Sequence, residues 1–174
     1  QSSTITFGKG GFQGSRGGPG SDWYLENMLM LLDAPNEHYY DPDSGTLYYA
    51  PNSTSSQPSA DLDMNAPNLM TLLSVNATQA SPLTGLILQG IGFRDAAPTF
   101  LEPHGVPSGG DWALERMGAL FFEGTVNLKI QGCTFERNDG NGVMLSGFNR
   151  FATLLENHFA WTGDTAIAAW GRTD

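Results

Sequence analysis

"NLKIQGCTFERNDGNGVML", residues 127–145, is the stretch that decides the fold. Apolar residues arrive at every second position in short bursts, with an Asn-Asp-Gly-Asn cluster between two of them. Moved forward by 24 residues, the pattern returns: Leu128 falls on Ala152, Ile130 on Leu154, Phe135 on Phe159, Gly140 on Asp164, Val143 on Ile167 and Leu145 on Ala169. A period in the twenties, made of pieces too short to bury their own apolar faces, predicts a stacked solenoid.

Alternation gives directions within one circuit, because successive side chains on a strand point to opposite faces. Leu128 and Ile130 face inward, while Asn127, Lys129 and Gln131 face outward. Gly132 permits a bend, after which Cys133 and Phe135 resume the apolar side. Asn138-Asp139-Gly140-Asn141 turns the chain before Val143 and Leu145 point inward again. Three short strands per circuit follow. Cys133, the single cysteine, reads as a small buried hydrophobe, and Asn157 takes its place one circuit later, where it must bond turn backbone.

An earlier circuit aligns at 42 residues: Leu86, Leu88, Ile91 and Phe93 match Leu128, Ile130, Cys133 and Phe135. The excess is an insertion over 95–117, rich in proline and glycine. Ala119, Phe121 and Val126 are expected opposite Val143, Leu145 and Arg150, and "NLMTLLSV" (68–75) one circuit further back. Strand-rich circuits at this spacing describe an all-β fold, a right-handed parallel β-helix. Leucine-rich repeats share the period, but "TFERNDGNGV" leaves no room for a helix.

Ahead of the coils, residues 1–21 form a Gly-rich irregular segment, and 22–60 read as a cap over the coils of 61–174. Tyr24–Leu32 has the apolar density of a short helix. "HYYDPDSGTLYY" reads as a hairpin whose Asp-Pro-Asp-Ser-Gly turn separates two aromatic strands. A cover is expected where an open strand edge would otherwise invite polymerisation.

The 174 residues suit one core, and 18 acids against 8 bases give a formal charge of −10 without a basic cluster. Nucleic-acid binding lacks its electrostatic footprint. No apolar run approaches the ~18 residues a bilayer span needs, and "QSSTITFGKGGFQG" is no signal peptide, so the chain reads as soluble and either matured or cut from something longer. Asn52-Ser53-Thr54 and Asn76-Ala77-Thr78 are glycosylation sequons, which point to a secreted surface protein.

"NEHYYDPDSGTLYYAP", followed by "LKIQGCTFERNDGNGVMLSG" and "TLLENHFAWTGDTAIAAWG", resembles the secreted right-handed β-helix repeat proteins of the pectate-lyase-like superfamily. The resemblance covers roughly residues 22–174 and implies the fold. It also implies an extracellular setting and a polysaccharide or glycan partner, held along an outward strand face between loops. Because coils usually continue in such proteins, the chain resembles an interior fragment. Members include polysaccharide lyases, glycoside hydrolases and surface proteins without assigned chemistry.

Outward parity groups Phe122, Ser146 and Trp170 in one stack, with Leu120, Met144 and Ala168 beside it. So apolar an outer face is either covered by the 95–117 insertion or offered as a platform for a sugar ring. The insertion brings Glu102, His104, Asp111, Trp112 and Glu115 towards it, near Asp139 and Asp164 at adjacent turns. Asp111, Glu115 and Asp164 are the catalytic candidates, and Trp112, Trp170 and His104 the carbohydrate-binding ones. Each also has a bland reading, as a turn residue or a solvated loop charge. Hydrolysis needs two carboxylates ~5–5.5 Å or ~6.5–9.5 Å apart. Lyase chemistry needs a base plus neutralisation of a uronate, which scattered arginines and a net negative charge disfavour. No residue cluster has metal-ligand spacing, and no cofactor is implied. Two functions stand: an extracellular protein that binds or processes carbohydrate, and a non-catalytic structural or adhesive component of a cell surface or fibre, self-assembling through open coil ends.

Overall fold

The computed structural model describes residues 25–52, 62–99, 102 and 115–172. They divide into two compact units, with the boundary between Met64 and Asn65.

In the first unit, β1 (His38–Asp41) and β2 (Thr46–Tyr49) pair antiparallel, Tyr39 opposite Tyr48 and Tyr40 opposite Leu47. The turn is built by Asp41, whose carboxylate accepts hydrogen bonds from the Asp43 N–H (3.0 Å) and the Ser44 hydroxyl (2.5 Å), with Gly45 at φ +65° closing it. The hairpin expected from "HYYDPDSGTLYY" is therefore present. The helix expected over Tyr24–Leu32 is not: from Leu25 on there is only a three-residue 3-10 turn, Leu29–Leu31. Asn27 sits at φ 58° and Met28 is extended, with no side-chain cap, so no helical nucleus long enough to propagate can form there.

The second unit is all-β and parallel. Its strands are β3 (Leu73–Asn76), β4 (Leu83–Thr84), β5 (Ile87–Gln89), β6 (Gly92–Arg94), β7 (Leu120–Val126), β8 (Lys129–Gln131), β9 (Thr134–Glu136), β10 (Val143–Arg150), β11 (Thr153–Leu155), β12 (His158–Ala160) and β13 (Ile167–Trp170). They form three sheets: β3, β7, β10 and β13 in order, with β4 also on β7; β5, β8 and β11; and β6, β9 and β12. The chain visits the sheets in turn, and every strand pairs in parallel with its equivalent one circuit away. This arrangement is consistent with a β-helix-like solenoid.

Register follows the repeat. Ile130 lies between Leu88 and Leu154, and Phe135 between Phe93 and Phe159. The three phenylalanine rings stack, with centroids 5.3 and 4.5 Å apart and the second pair within 7° of parallel. Around them Leu128, Ile130, Cys133, Phe135, Leu120, Phe122 and Val143 form the buried core. Asparagines close its polar gaps. Asn157 accepts from the Cys133 N–H and donates to the Ile130 carbonyl, both at 2.9 Å, so the polar residue in the cysteine row is satisfied by backbone.

Corners are made by single residues in the left-handed conformation, repeated in every circuit. Gly85, Asn127 and Phe151 follow the first sheet; Gly90, Gly132 and Glu156 the second; Asp95, Arg137 and Trp161 the third. Each is the residue directly after a strand, where one positive φ redirects the chain without a longer loop.

One expected register is corrected. Leu120, not Ala119, lies opposite Val143, and Phe122, not Phe121, opposite Leu145; Val126 opposite Arg150 is as expected. Between Ser146 and Asn149, β10 carries one more residue than β7, a bulge with Gly147 at φ +60° facing Gly124 at φ +75°. An extra residue reverses side-chain direction. Phe122 and Leu120 are thus fully buried core residues, and Glu123 takes the expected outward place of Phe122 beside Ser146 and Trp170.

Candidate functional site

The outer face of the β7–β10–β13 sheet is closed. Met144 and Ser146 are fully buried and Ala168 nearly so. Residues 115–118 lie against it. A Cβ on Gly118 would stand 3.2 Å from that of Met144, and Arg116 donates to the Ser146 hydroxyl (3.0 Å) and to the carbonyls of Trp170 and Gly171 (both 3.2 Å). The guanidinium also lies 5.9 Å from the Trp170 ring centroid, as a cation on its π face. The Ser146 hydroxyl donates a hydrogen bond to Glu123 Oε2 at 2.7 Å, and Arg172 holds Glu123 Oε1 at 2.9 Å. The Ser146 hydrogen bond, then Arg172, keep the Glu123 carboxyl below its ordinary range against the opposing effect of burial. Every group in this cluster is spent on another.

The third corner is different. Asp95, Arg137 and Trp161 succeed one another there, one per circuit, tied by backbone hydrogen bonds from Asp95 to Glu136 and from Arg137 to Ala160. Arg137 grips Asp95 with two nitrogens, Nε to Oδ1 at 2.7 Å and Nη2 to Oδ2 at 3.2 Å. That fork, mainly through its hydrogen bonds, lowers the Asp95 pKa and raises that of Arg137. The following turn is fixed from inside. The buried Asn138 side chain accepts from Ala96 N–H and donates to the Phe93 carbonyl, while its own carbonyl accepts from Gly163 N–H. Gly163 has no Cβ because the Asp139 carboxylate and backbone occupy that space. Asp139 is thereby held exposed at the rim.

Asn65, Pro67, Asp95, Ala96, Arg137, Asp139 and Trp161 line a cleft of about 460 Å³. Trp161 is 75% exposed and sits at φ 52°. A bulky side chain in that conformation costs about 1–2 kcal/mol, and an exposed one recovers little of it by burial. Glycine fills the second corner in two of its three circuits; Phe151 at the first corner shares the exposure and the left-handed backbone, at 78% and φ 55°, and what sets Trp161 apart is the cleft it lines. Its largely exposed indole, flanked by charge, is the kind of surface on which the C–H face of a puckered polyhydroxylated ring can pack while the hydroxyls meet polar groups at the rim.

Of the residues singled out from sequence, His104, Asp111 and Trp112 lie outside the described residues. Glu115 is buried, 5% exposed, and its backbone carbonyl accepts from Asn141, whose Oδ1 in turn accepts from Thr165 N–H. Asp164 is exposed, with Thr165 donating to its Oδ1 at 3.2 Å. The Asn141 side chain thus bridges the two segments, but Glu115 is buried and Asp164 exposed. Glu102 is exposed. Trp170 is half-buried beneath Arg116, so its outward position on the strand does not give it a free face. Asn52 and Asn76 are both exposed. Among the described residues no group of three or more His, Cys, Asp or Glu side chains is placed to hold a metal ion.

Sequence reasoning missed Trp161 and the Asp95–Arg137 pair. A signal existed in opposite charges at the 42-residue offset that aligns Phe93 with Phe135, followed by a tryptophan at the 24-residue offset. Comparison with known proteins gives no match to a family model, to a curated protein or to a solved structure.

Proposed function

We propose that this chain belongs to an extracellular, right-handed parallel β-helix protein of the pectate-lyase-like type, and that it binds carbohydrate in the Trp161 cleft without cleaving it. One observation carries the reading: a solvent-facing indole held on an unfavourable backbone at the wall of a 460 Å³ cleft. Binding rather than cleavage follows from the carboxylates. Glycoside hydrolysis asks one acid to stay protonated near neutral pH while a second works as a base or nucleophile. Of the two carboxylates in the cleft, Asp95 is clamped by Arg137 and its pKa lowered, the wrong direction for an acid catalyst. Asp139 alone does not make a pair. Exposed Asn52 and Asn76 are open to glycan attachment on a secretory route.

The competing reading, a rigid structural or adhesive rod, is favoured by the ladder of three phenylalanine rings through the core, with Asn157 satisfied by backbone in the row beside it. A glycan array, with reducing-sugar release measured on its hits, separates the two. Binding without release, weakened roughly tenfold or more by Trp161→Ala and kept by Trp170→Ala, is expected. No hits would leave the rod. Release of reducing ends would overturn the non-catalytic assignment.

A further inference from the structure

Resting on the carbohydrate reading, we infer that the cleft selects a sugar bearing a positively charged amine over an N-acetylated or uronic one. The argument is charge accounting at the corner. Asp95 and Asp139 bring two negative charges and Arg137 one positive, a balance of −1. Adding the neighbours that touch this group, Arg94 at 3.5 Å from Asp95 and Glu136 at 3.7 Å from Arg137, adds one charge of each sign and leaves −1.

The distribution matters more than the sum. Among the described residues lining the cleft Arg137 is the one cation, and it has both sides of its fork on Asp95 and its remaining nitrogen towards Glu136, while Arg94 stands outside the lining with its Nε towards Asp95. Asp139, by contrast, makes no side-chain hydrogen bond or ion pair among the described residues and is exposed at the rim. An incoming ammonium therefore meets an unspent carboxylate and an indole face, which attract cations by charge-assisted hydrogen bonding and by the ring quadrupole respectively. A uronate meets the same carboxylate as a repulsion. The backbone of Asp139 is anchored to Ala96, and its neighbour Asn138 to the core, so the carboxylate presents itself without ordering a loop on binding.

The test is calorimetric titration of the full chain with three oligosaccharides of equal length: a glucosamine oligomer, its N-acetylated form and an oligogalacturonate, at low ionic strength below the amine's titration range. The inference expects the glucosamine oligomer to bind at least tenfold tighter than the N-acetylated one, with the galacturonate weakest. Asp139→Asn, whose side chain has no structural partner to lose, should erase the preference while keeping residual binding. Trp161→Ala should weaken both amino-sugar ligands. Raising the pH through the amine's titration, or adding salt, should also narrow the gap. Equal affinity for the first two, galacturonate binding tightest, or a preference that survives Asp139→Asn would overturn the amine selectivity and leave carbohydrate binding standing. No binding by any of the three, with array hits on other sugars that depend on Trp161, would also overturn the selectivity alone. An array without hits would remove the carbohydrate reading as well.

Discussion

Trp170 and Trp161 lie nine residues apart on the same circuit, each beside an arginine and a carboxylate, yet they end in opposite states. Trp170 is on a strand, pointing outward, and is covered: Arg116 crosses its ring, and Glu123, Ser146 and Arg172 close the network around it. Trp161 is on a corner and uncovered, because Arg137 turns to Asp95 and leaves the indole in solvent. The difference teaches that strand parity fixes which way a side chain points but not whether it is free. Freedom depends on where the nearest cation spends its hydrogen bonds.

Both tryptophans sit on circuits wound round one core, so the most damaging way to break the comparison is through that core. Phe135 is fully buried between two other phenylalanines. Phe135→Ala should cost about 3–5 kcal/mol of stability, read from the denaturant midpoint, and should loosen both sites together. Selective loss of one would mean that they are not supported by a common stack.

Arg116→Ala acts on one side only. It removes hydrogen bonds from a cation to a buried hydroxyl and two carbonyls, worth about 1–3 kcal/mol in total given partial exposure. Acrylamide quenching of tryptophan fluorescence should rise as Trp170 is uncovered. Sugar affinity should stay within twofold of the wild type, because Trp161 is untouched. Should affinity drop markedly, the covered face would be part of the binding surface after all.

Trp161→Gly sharpens the contrast by separating stability from function. Glycine accepts φ 52° without strain, and the exposed indole has little burial to forfeit. Relief of the left-handed conformation, less the entropy cost of glycine, should raise stability by about 0.5–1 kcal/mol while sugar binding falls. Trp170→Gly, on a strand, should destabilise. A fall in stability for both variants would show that Trp161 has a packing role.

The smallest effect is with pH. The folded pKa of Glu123 lies below its unfolded value, so the stability it contributes is complete above the unfolded pKa and is lost as pH falls through the folded one. Wild type should therefore exceed Glu123→Gln in stability at neutral pH, and the gap should close progressively below about pH 4.3. Asp95, lowered by Arg137, follows the same sign at the other site. Thermal melts in a pH series would register either trend, and a gap that widened on acidification would reverse the assigned direction.

Much of the fold was readable because two periods coincide: alternation by two gave direction, and the 24-residue repeat gave stacking. Leu128, Ile130, Cys133 and Phe135 needed nothing more, and each is fully buried. The β7 register was harder, since a single extra residue in β10 restores the 24-residue spacing at Val126 and Arg150 while leaving 23 at Leu120 and Val143. Sequence parity consequently put Phe122 in the outward row with Ser146 and Trp170, the place that Glu123 takes. The helix expected near Leu29 failed for a different reason, as apolar density without a cap does not nucleate one. Least legible was Trp161. Tryptophan is disfavoured at positive φ, so no propensity rule would place it on a corner, and only its alignment with Arg137 and Asp95 across circuits marks the position.

The most direct test of the account is an NMR titration that follows the indole N–H resonances as oligosaccharide is added. The Trp161 signal should shift or broaden in proportion to occupancy while that of Trp170 stays in place. A shifting Trp170 beside an unmoved Trp161 would contradict the central claim that the corner cleft, and not the covered strand face, receives the sugar.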